Sequence, residues 1–145
     1  MRQALAELTP LVTAKHLRVV LRVNDLPPED GYQVMAMAER FLCHSMFSNL
    51  CKNAVEASRP EEVINIGFQW GTKVAISIDN CGEVPEAIRD RFFDKFVTAG
   101  KRTGTGLGTY SAKLSALTQG GAISLDSSVV GRTCIRIVLP ETGAI

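Results

Sequence analysis

Asn49 and Asn53 stand four residues apart, a spacing that stacks two side chains on one face of a helix. At about 100° per residue, Met35, Leu42, Met46, Leu50 and Ala57 fall on the same arc. Two carboxamides on an apolar face must find partners or cost roughly 1–3 kcal/mol each. Either they bond neighbouring backbone or buried water, or their oxygens serve a ligand. Neutral carboxamide oxygens suit a hard cation such as Mg²⁺ that already carries phosphates. A second feature is Gly104-Thr105-Gly106-Leu107-Gly108 ahead of an apolar helical pattern. It is either a plain flexible turn or a phosphate cradle, in which backbone N–H groups at a helix N-terminus meet the anion. No Lys-Ser/Thr follows the last glycine, so it is not a Walker A loop, and the dinucleotide pattern lacks its acidic partner. A third is Ile78-Asp79-Asn80-Cys81-Gly82-Glu83-Val84-Pro85. The Asp79 carboxylate could accept a hydrogen bond from an exocyclic amine such as adenine N6, or simply build an Asx turn.

These residues need elements to hold them. His16–Val23 alternates and is rich in valine, as a strand should be. Asn24–Gly31 is turn chemistry, and a long helix is predicted from Tyr32 to Ser58, ended by Arg59-Pro60. Val63–Trp70 and Lys73–Ile78 read as an antiparallel pair across Gly71-Thr72. Pro85 opens a short helix, Glu86–Phe92, and residues 94–105 form a polar, glycine-containing loop. A second good helix covers Leu107–Gln119, stopped by Gly120-Gly121, and Ile123–Ser127 with Thr133–Leu139 makes a final hairpin. The order predicts an α/β fold: a two-layer α/β sandwich whose mixed, mostly antiparallel sheet is covered on one face by helices.

Composition narrows the partners. The 145 residues carry 16 Lys+Arg against 15 Asp+Glu and are 46% hydrophobic, the composition of one globular domain. A formal charge of +1 gives no basic footprint for nucleic acid and no attraction to an anionic membrane. No window approaches the roughly 18 apolar residues of a membrane span. The start, MRQALAELTPLVTAKHL, has no signal-peptide core or cleavage site, so a soluble, cytoplasmic domain is expected. Cys43, Cys51, Cys81 and Cys134 are scattered without metal spacing. They read as small hydrophobes.

In this order and spacing, the three features resemble the sensor histidine kinases, within the superfamily of gyrase, Hsp-type chaperones, histidine kinases and mismatch-repair ATPases (the Bergerat fold). Asn49-Leu50-Cys51-Lys52-Asn53-Ala54 is similar to the family's N box, Asp79-Asn80-Cys81-Gly82 to its G1 box, Phe93-Asp94-Lys95-Phe96 to its F box and Gly104–Gly108 to its G2 box. Gly131-Arg132-Thr133 with Leu139-Pro140 resembles the closing strand. The resemblance implies ATP and Mg²⁺ as cofactors, held between the long helix and a mobile lid, Asp94–Thr103. It places Asn53 on the metal, Asn49 on phosphate or supporting the metal, Asp79 on adenine N6 with Gly82 in the turn behind it, and Thr133 beside the purine. Gly104, Gly106, Leu107 and Gly108 would wrap the phosphates, Phe93 and Phe96 would anchor the lid, and Lys95, Lys101 and Arg102 are candidate phosphate contacts or a solvated basic loop.

The chain also departs from the pattern. The usual D-x-G-x-G of the G1 box reads Asp79-Asn80-Cys81-Gly82-Glu83, with a glycine only between the consensus positions. Ser45 stands where hydrolysing relatives carry a glutamate, and Glu56 where some kinases carry a lysine. Neither His16, at a strand start, nor His44, on the solvent side of the long helix, suits a phospho-acceptor. The acceptor is expected on a separate dimerisation hairpin, upstream or on a partner chain, with residues 1–14 as the tail of that helix or linker and 15–145 as the catalytic domain. The implied partners are that hairpin and a downstream response regulator. The alternatives are an anti-sigma-type serine kinase of the same fold and a non-catalytic nucleotide-sensing or interaction module.

Overall fold

The computed structural model of the chain describes residues 1–29, 38–98 and 104–140. Two short helices, α1 (Arg2–Glu7) and α2 (Thr9–Ala14), lead into strand β1 (Arg18–Val23). Helix α3 (Arg40–Ala57) is followed by strands β2 (Val63–Trp70) and β3 (Lys73–Cys81). A single turn, α4 (Glu86–Arg89), precedes helix α5 (Gly108–Thr118), and strands β4 (Ala122–Asp126) and β5 (Arg132–Pro140) close the fold. The five strands lie in the order β1-β2-β3-β5-β4. β1 runs parallel to β2, and all other pairs are antiparallel. This is the expected two-layer sandwich.

Side-chain alternation decides which face the helices cover. Ile64 and Ile66 on β2, Ile76 and Ile78 on β3, and Ile135 and Ile137 on β5 are buried together with Met46, Leu50 and Ala54 of α3 and Ala112 and Ala116 of α5. The opposite face stays open to solvent and carries Arg18, Arg22 and Arg136. Cys51 is buried in the helix layer, and desolvation pushes its thiol up to about 12, so it serves packing rather than reactivity.

The helices depart from expectation at their ends. Residues 38–39 are not helical, and Glu39 instead caps α3, its carboxylate accepting from Leu42 N at 2.7 Å. The predicted Tyr32 start, with Met35, lies outside the described residues. Pro10, in the first turn of α2, divides the single short helix expected at residues 1–14 into two. Ala4 of α1 is fully buried in the core, and Glu7 meets His44 Nε2 at 3.1 Å. His44 is therefore half-buried and engaged, rather than facing solvent. His16 sits in an exposed turn with a left-handed backbone, ahead of the strand that it was expected to open.

The C-terminus of α3 is closed from a distance. Lys15 Nζ donates to the carbonyls of Val55, Glu56 and Ser58, each at 2.9 Å. A cation there answers both the orphan carbonyls and the negative end of the helix dipole. Lys15→Met is expected to cost about 2 kcal/mol and to lower the melting temperature by about 5–8 °C. An unchanged thermal transition would remove Lys15 as the cap.

Candidate functional site

Helices α3 and α5 run antiparallel, and each end is fixed by a specific contact. Gln119, just past α5, accepts from Glu39 N at 2.8 Å and from Cys43 Sγ at 3.5 Å. At the other end Gly108 lies beside the Asn49 carboxamide, where a Cβ would make ordinary contact with Oδ1 at 3.6 Å. Between this end of the helix pair and the sheet opens a cavity of about 700 Å³.

The cavity follows α3. Near Asn49 it is walled by Gly104–Gly108 and the start of α5. Leu107 supplies no side-chain cap, so the first N–H groups of α5 remain available to an anion. About 12 Å further along the helix, by helical rise, Ala57 approaches Gly82, where β3 ends. Asn80 and Thr133, paired across β3 and β5, line that region with Ile78 and Ile135. Thr133 Oγ1 donates to the Gly82 carbonyl at 2.7 Å, and Gly82 N donates to Gly131 O at 2.9 Å. Gly82 takes φ +112°, a conformation open to glycine. One end of the cavity thus offers backbone donors, and the other a largely apolar slot with a few polar groups.

Asn49 and Asn53 both line this cavity, half-buried at the edge of the apolar face whose centre is Met46, Leu50 and Ala54. Among the described residues neither carboxamide has a hydrogen-bond partner. Gly82, Gly104, Gly106, Leu107, Gly108 and Thr133 are brought to the same cavity. Gly106 is confined there by its neighbours: φ is +66°, and a Cβ would lie 2.5 Å from the Phe96 carbonyl carbon. Its own carbonyl accepts from Phe96 N at 3.0 Å, so the F-box segment and the glycine loop are stitched together.

Three expected placements are not seen. Asp79 does not line the cavity. β3 continues three residues beyond Ile78 to Cys81, so the alternation that buries Val74, Ile76 and Ile78 next buries Asn80 and turns Asp79 to the open face. There its Oδ1 lies 2.6 Å from Arg132 Nη2 and accepts from Nε at 2.8 Å. That bond holds the guanidinium above its ordinary value. Phe96 is 73% exposed and stands outside the cavity lining, with a left-handed backbone; it is not an apolar anchor. Phe93 is the anchored ring, half-buried and edge-on to Phe92 at 5.0 Å. Lys95 places its ammonium 4.9 Å from the Tyr110 ring centroid and stands outside the cavity lining. Lys101 and Arg102, with most of the expected lid, lie outside the described residues.

Several lining residues went unassigned in the sequence, Asn80, Ile88 and Lys52 among them. Asn80 is 4% exposed and faces the cavity side of the sheet. Carrying the period of two forward from Ile76 and Ile78 would have found it. Ile88 of α4 and Lys52 of α3 also line the space, and Lys52 is its one cation among the described residues.

The family model described as histidine kinase-, DNA gyrase B-, and HSP90-like ATPase matches residues 38–143. The sensory histidine kinase/phosphatase NtrB of Azospirillum brasilense is 30% identical, over 88% of this chain and 34% of its own. The sensor protein VanSC of Enterococcus gallinarum is 29% identical, over 88% of this chain and 35% of its own. The chain thus spans about a third of the length of these curated relatives. Among solved structures, the nucleotide-free catalytic domain of histidine kinase ThkA superposes with a TM-score of 0.81 at 23% identity, covering 97% of this chain and 89% of that one. Full-length ShkA in complex with AMPPNP gives 0.78 at 20% identity, covering 99% of this chain and 30% of that one.

Proposed function

Because the chain belongs to the family of histidine kinase-, DNA gyrase B-, and HSP90-like ATPases, we propose that it binds Mg·ATP in this cavity and transfers the γ-phosphoryl group to a histidine of a dimerisation hairpin. A response regulator would then receive the phosphate, as in two-component signalling. The observation that carries this reading is the unpartnered pair Asn49 and Asn53, two polar groups on a helix edge whose hydrogen-bonding capacity is left for a ligand. The names of the relatives support the kinase class, and the AMPPNP complex of ShkA supports a nucleotide in a fold of this shape.

The donor set fits a metal that arrives with phosphates. No group of three or more His, Cys, Asp or Glu able to hold an ion exists among the described residues. A neutral Asn53 oxygen suits Mg²⁺ whose other ligands are phosphate and water, and Mg²⁺ would supply charge neutralisation on the transferring group. Asn49 orients the phosphate chain beside Gly108. The glycine loop and the uncapped α5 N-terminus hold phosphate oxygens, and Lys52 adds a positive charge at the rim. Ser45, one turn before Asn49, carries no group that is basic at neutral pH, which favours transfer over water attack. The acceptor imidazole is itself the nucleophile, so the chain's work is positioning. His44, engaged with Glu7, and His16, in an exposed turn, support an acceptor on a separate hairpin.

Calorimetry of ATP with and without Mg²⁺ tests the reading. The unaltered chain is expected to bind ATP at least about tenfold tighter with the metal, and Asn53→Ala to lose that dependence. No detectable heat at millimolar nucleotide would sink the assignment.

A further inference from the structure

Resting on the nucleotide reading above, we infer that Asn80, and not Asp79, reads the purine, and that it does so as a neutral carboxamide held in one orientation by Cys81. Three observations converge. The strand phase places Asn80 on the cavity side, 4% exposed, directly across from Thr133. Asp79 is occupied on the open face by Arg132. Counted from Asn80, Gly82 falls where the first glycine of D-x-G-x-G belongs, so a shift of one residue restores that glycine, with Val84 at the second glycine position.

The amide's direction follows from its contact. Nδ2 donates to the Cys81 carbonyl at 2.7 Å. Turning the group over would set two oxygens against each other, so the nitrogen stays with Cys81. Oδ1 accepts no hydrogen bond among the described residues and is the free acceptor on the cavity side. An acceptor there matches the 6-amino group of adenine. A 6-oxo purine presents an acceptor instead and can be satisfied only if the amide rotates and gives up its bond to Cys81. The loss of one neutral hydrogen bond sets the discrimination at about tenfold. A carboxylate could not rotate into a donor at all. This site is therefore tolerant of guanine nucleotides in a way that an aspartate at the same place would not be.

The test measures affinities by calorimetry, in Mg²⁺, for ATP, GTP and purine riboside triphosphate, which lacks the 6-amine. The unaltered chain is expected to bind purine riboside triphosphate and GTP each about tenfold weaker than ATP. Asn80→Ala should bind ATP and the analogue equally, both near the weaker value, while Asn80→Asp widens the ATP/GTP ratio by at least about tenfold. Asp79→Asn should leave ATP affinity as it was. Equal affinity for ATP and the analogue in the unaltered chain overturns the inference without any substitution, so a misfolded variant cannot shelter it. Full ATP affinity in Asn80→Ala, or loss in Asp79→Asn, also overturns it. If Asn53→Ala still abolishes the metal dependence in that case, the phosphate end stands and only the base reader falls. A chain that binds no nucleotide at all removes both.

Discussion

Gly106→Ala is expected to lower ATP affinity by about 30- to 4000-fold while leaving the domain folded. The new Cβ would stand 2.5 Å from the Phe96 carbonyl carbon and 2.8 Å from Val97 N, both backbone atoms that cannot swing aside. The residue would also have to keep φ at +66°, which costs a substituted residue about 1–2 kcal/mol. Displacing the F-box segment to relieve the overlap adds about 1–3 kcal/mol. The sum, roughly 2–5 kcal/mol, falls on the arrangement that ties Phe96 to the glycine loop, and each 1.4 kcal/mol is about tenfold in affinity. Because the loop can open into solvent, the melting temperature should move little. Calorimetric titration of ATP into the variant checks this, and wild-type affinity would show that the loop need not close as described.

Ile137→Ala is expected to be the most damaging core change, at about 3–4 kcal/mol. Ile137 is fully buried, paired with Ile76 on β3 and Ile123 on β4. Its loss opens a void in the middle of the sheet's covered face. Against a total stability of roughly 5–15 kcal/mol, such a change should move the urea midpoint sharply with an unchanged slope. Its neighbour Arg136 has a side chain 63% exposed, paired with Asp126 at 3.2 Å. Arg136→Ala should stay within about 0.5 kcal/mol. Equal losses at the two positions would contradict the strand phase on which the placement of Asn80 also depends.

Much of the site could be read from residue type and spacing, and the failures have physical causes. The helical arc through Met46 and Leu50 located Asn49 and Asn53, since period and burial agree there. The glycine loop was legible because few other residues can take its backbone. The end of β3 was not. Asp79-Asn80-Cys81-Gly82 has the composition of a turn, and a polar Asn80 interrupts the apolar alternation that marks a strand; its partner across the sheet, Thr133, was needed to see that pairing continues. The start of α3 failed for a related reason. Glutamate is a weak capping residue, and the Met35–Ala38 stretch extends the helical pattern past the cap that Glu39 supplies. Phe96 was expected as a lid anchor from the F-box resemblance, whereas the hydrogen bond from its backbone to Gly106 fixes a conformation that turns the ring out.

The parallel pairing of β1 with β2 also shapes the order in which the chain can assemble. Arg18 sits opposite Val63, so that seam closes only after the whole of α3 has been traversed, while β2 meets β3, and β4 meets β5, within a single hairpin each. Closing the long loop carries a chain-entropy penalty that the hairpins largely avoid, and distant pairings of this kind set the pace of folding. Lys15 reaches α3 across the same separation and helps to secure that seam once it has formed. The hairpins can therefore nucleate by themselves, while the two seams between distant segments, β1 with β2 and β3 with β5, carry the larger closure penalty and join them into one sheet.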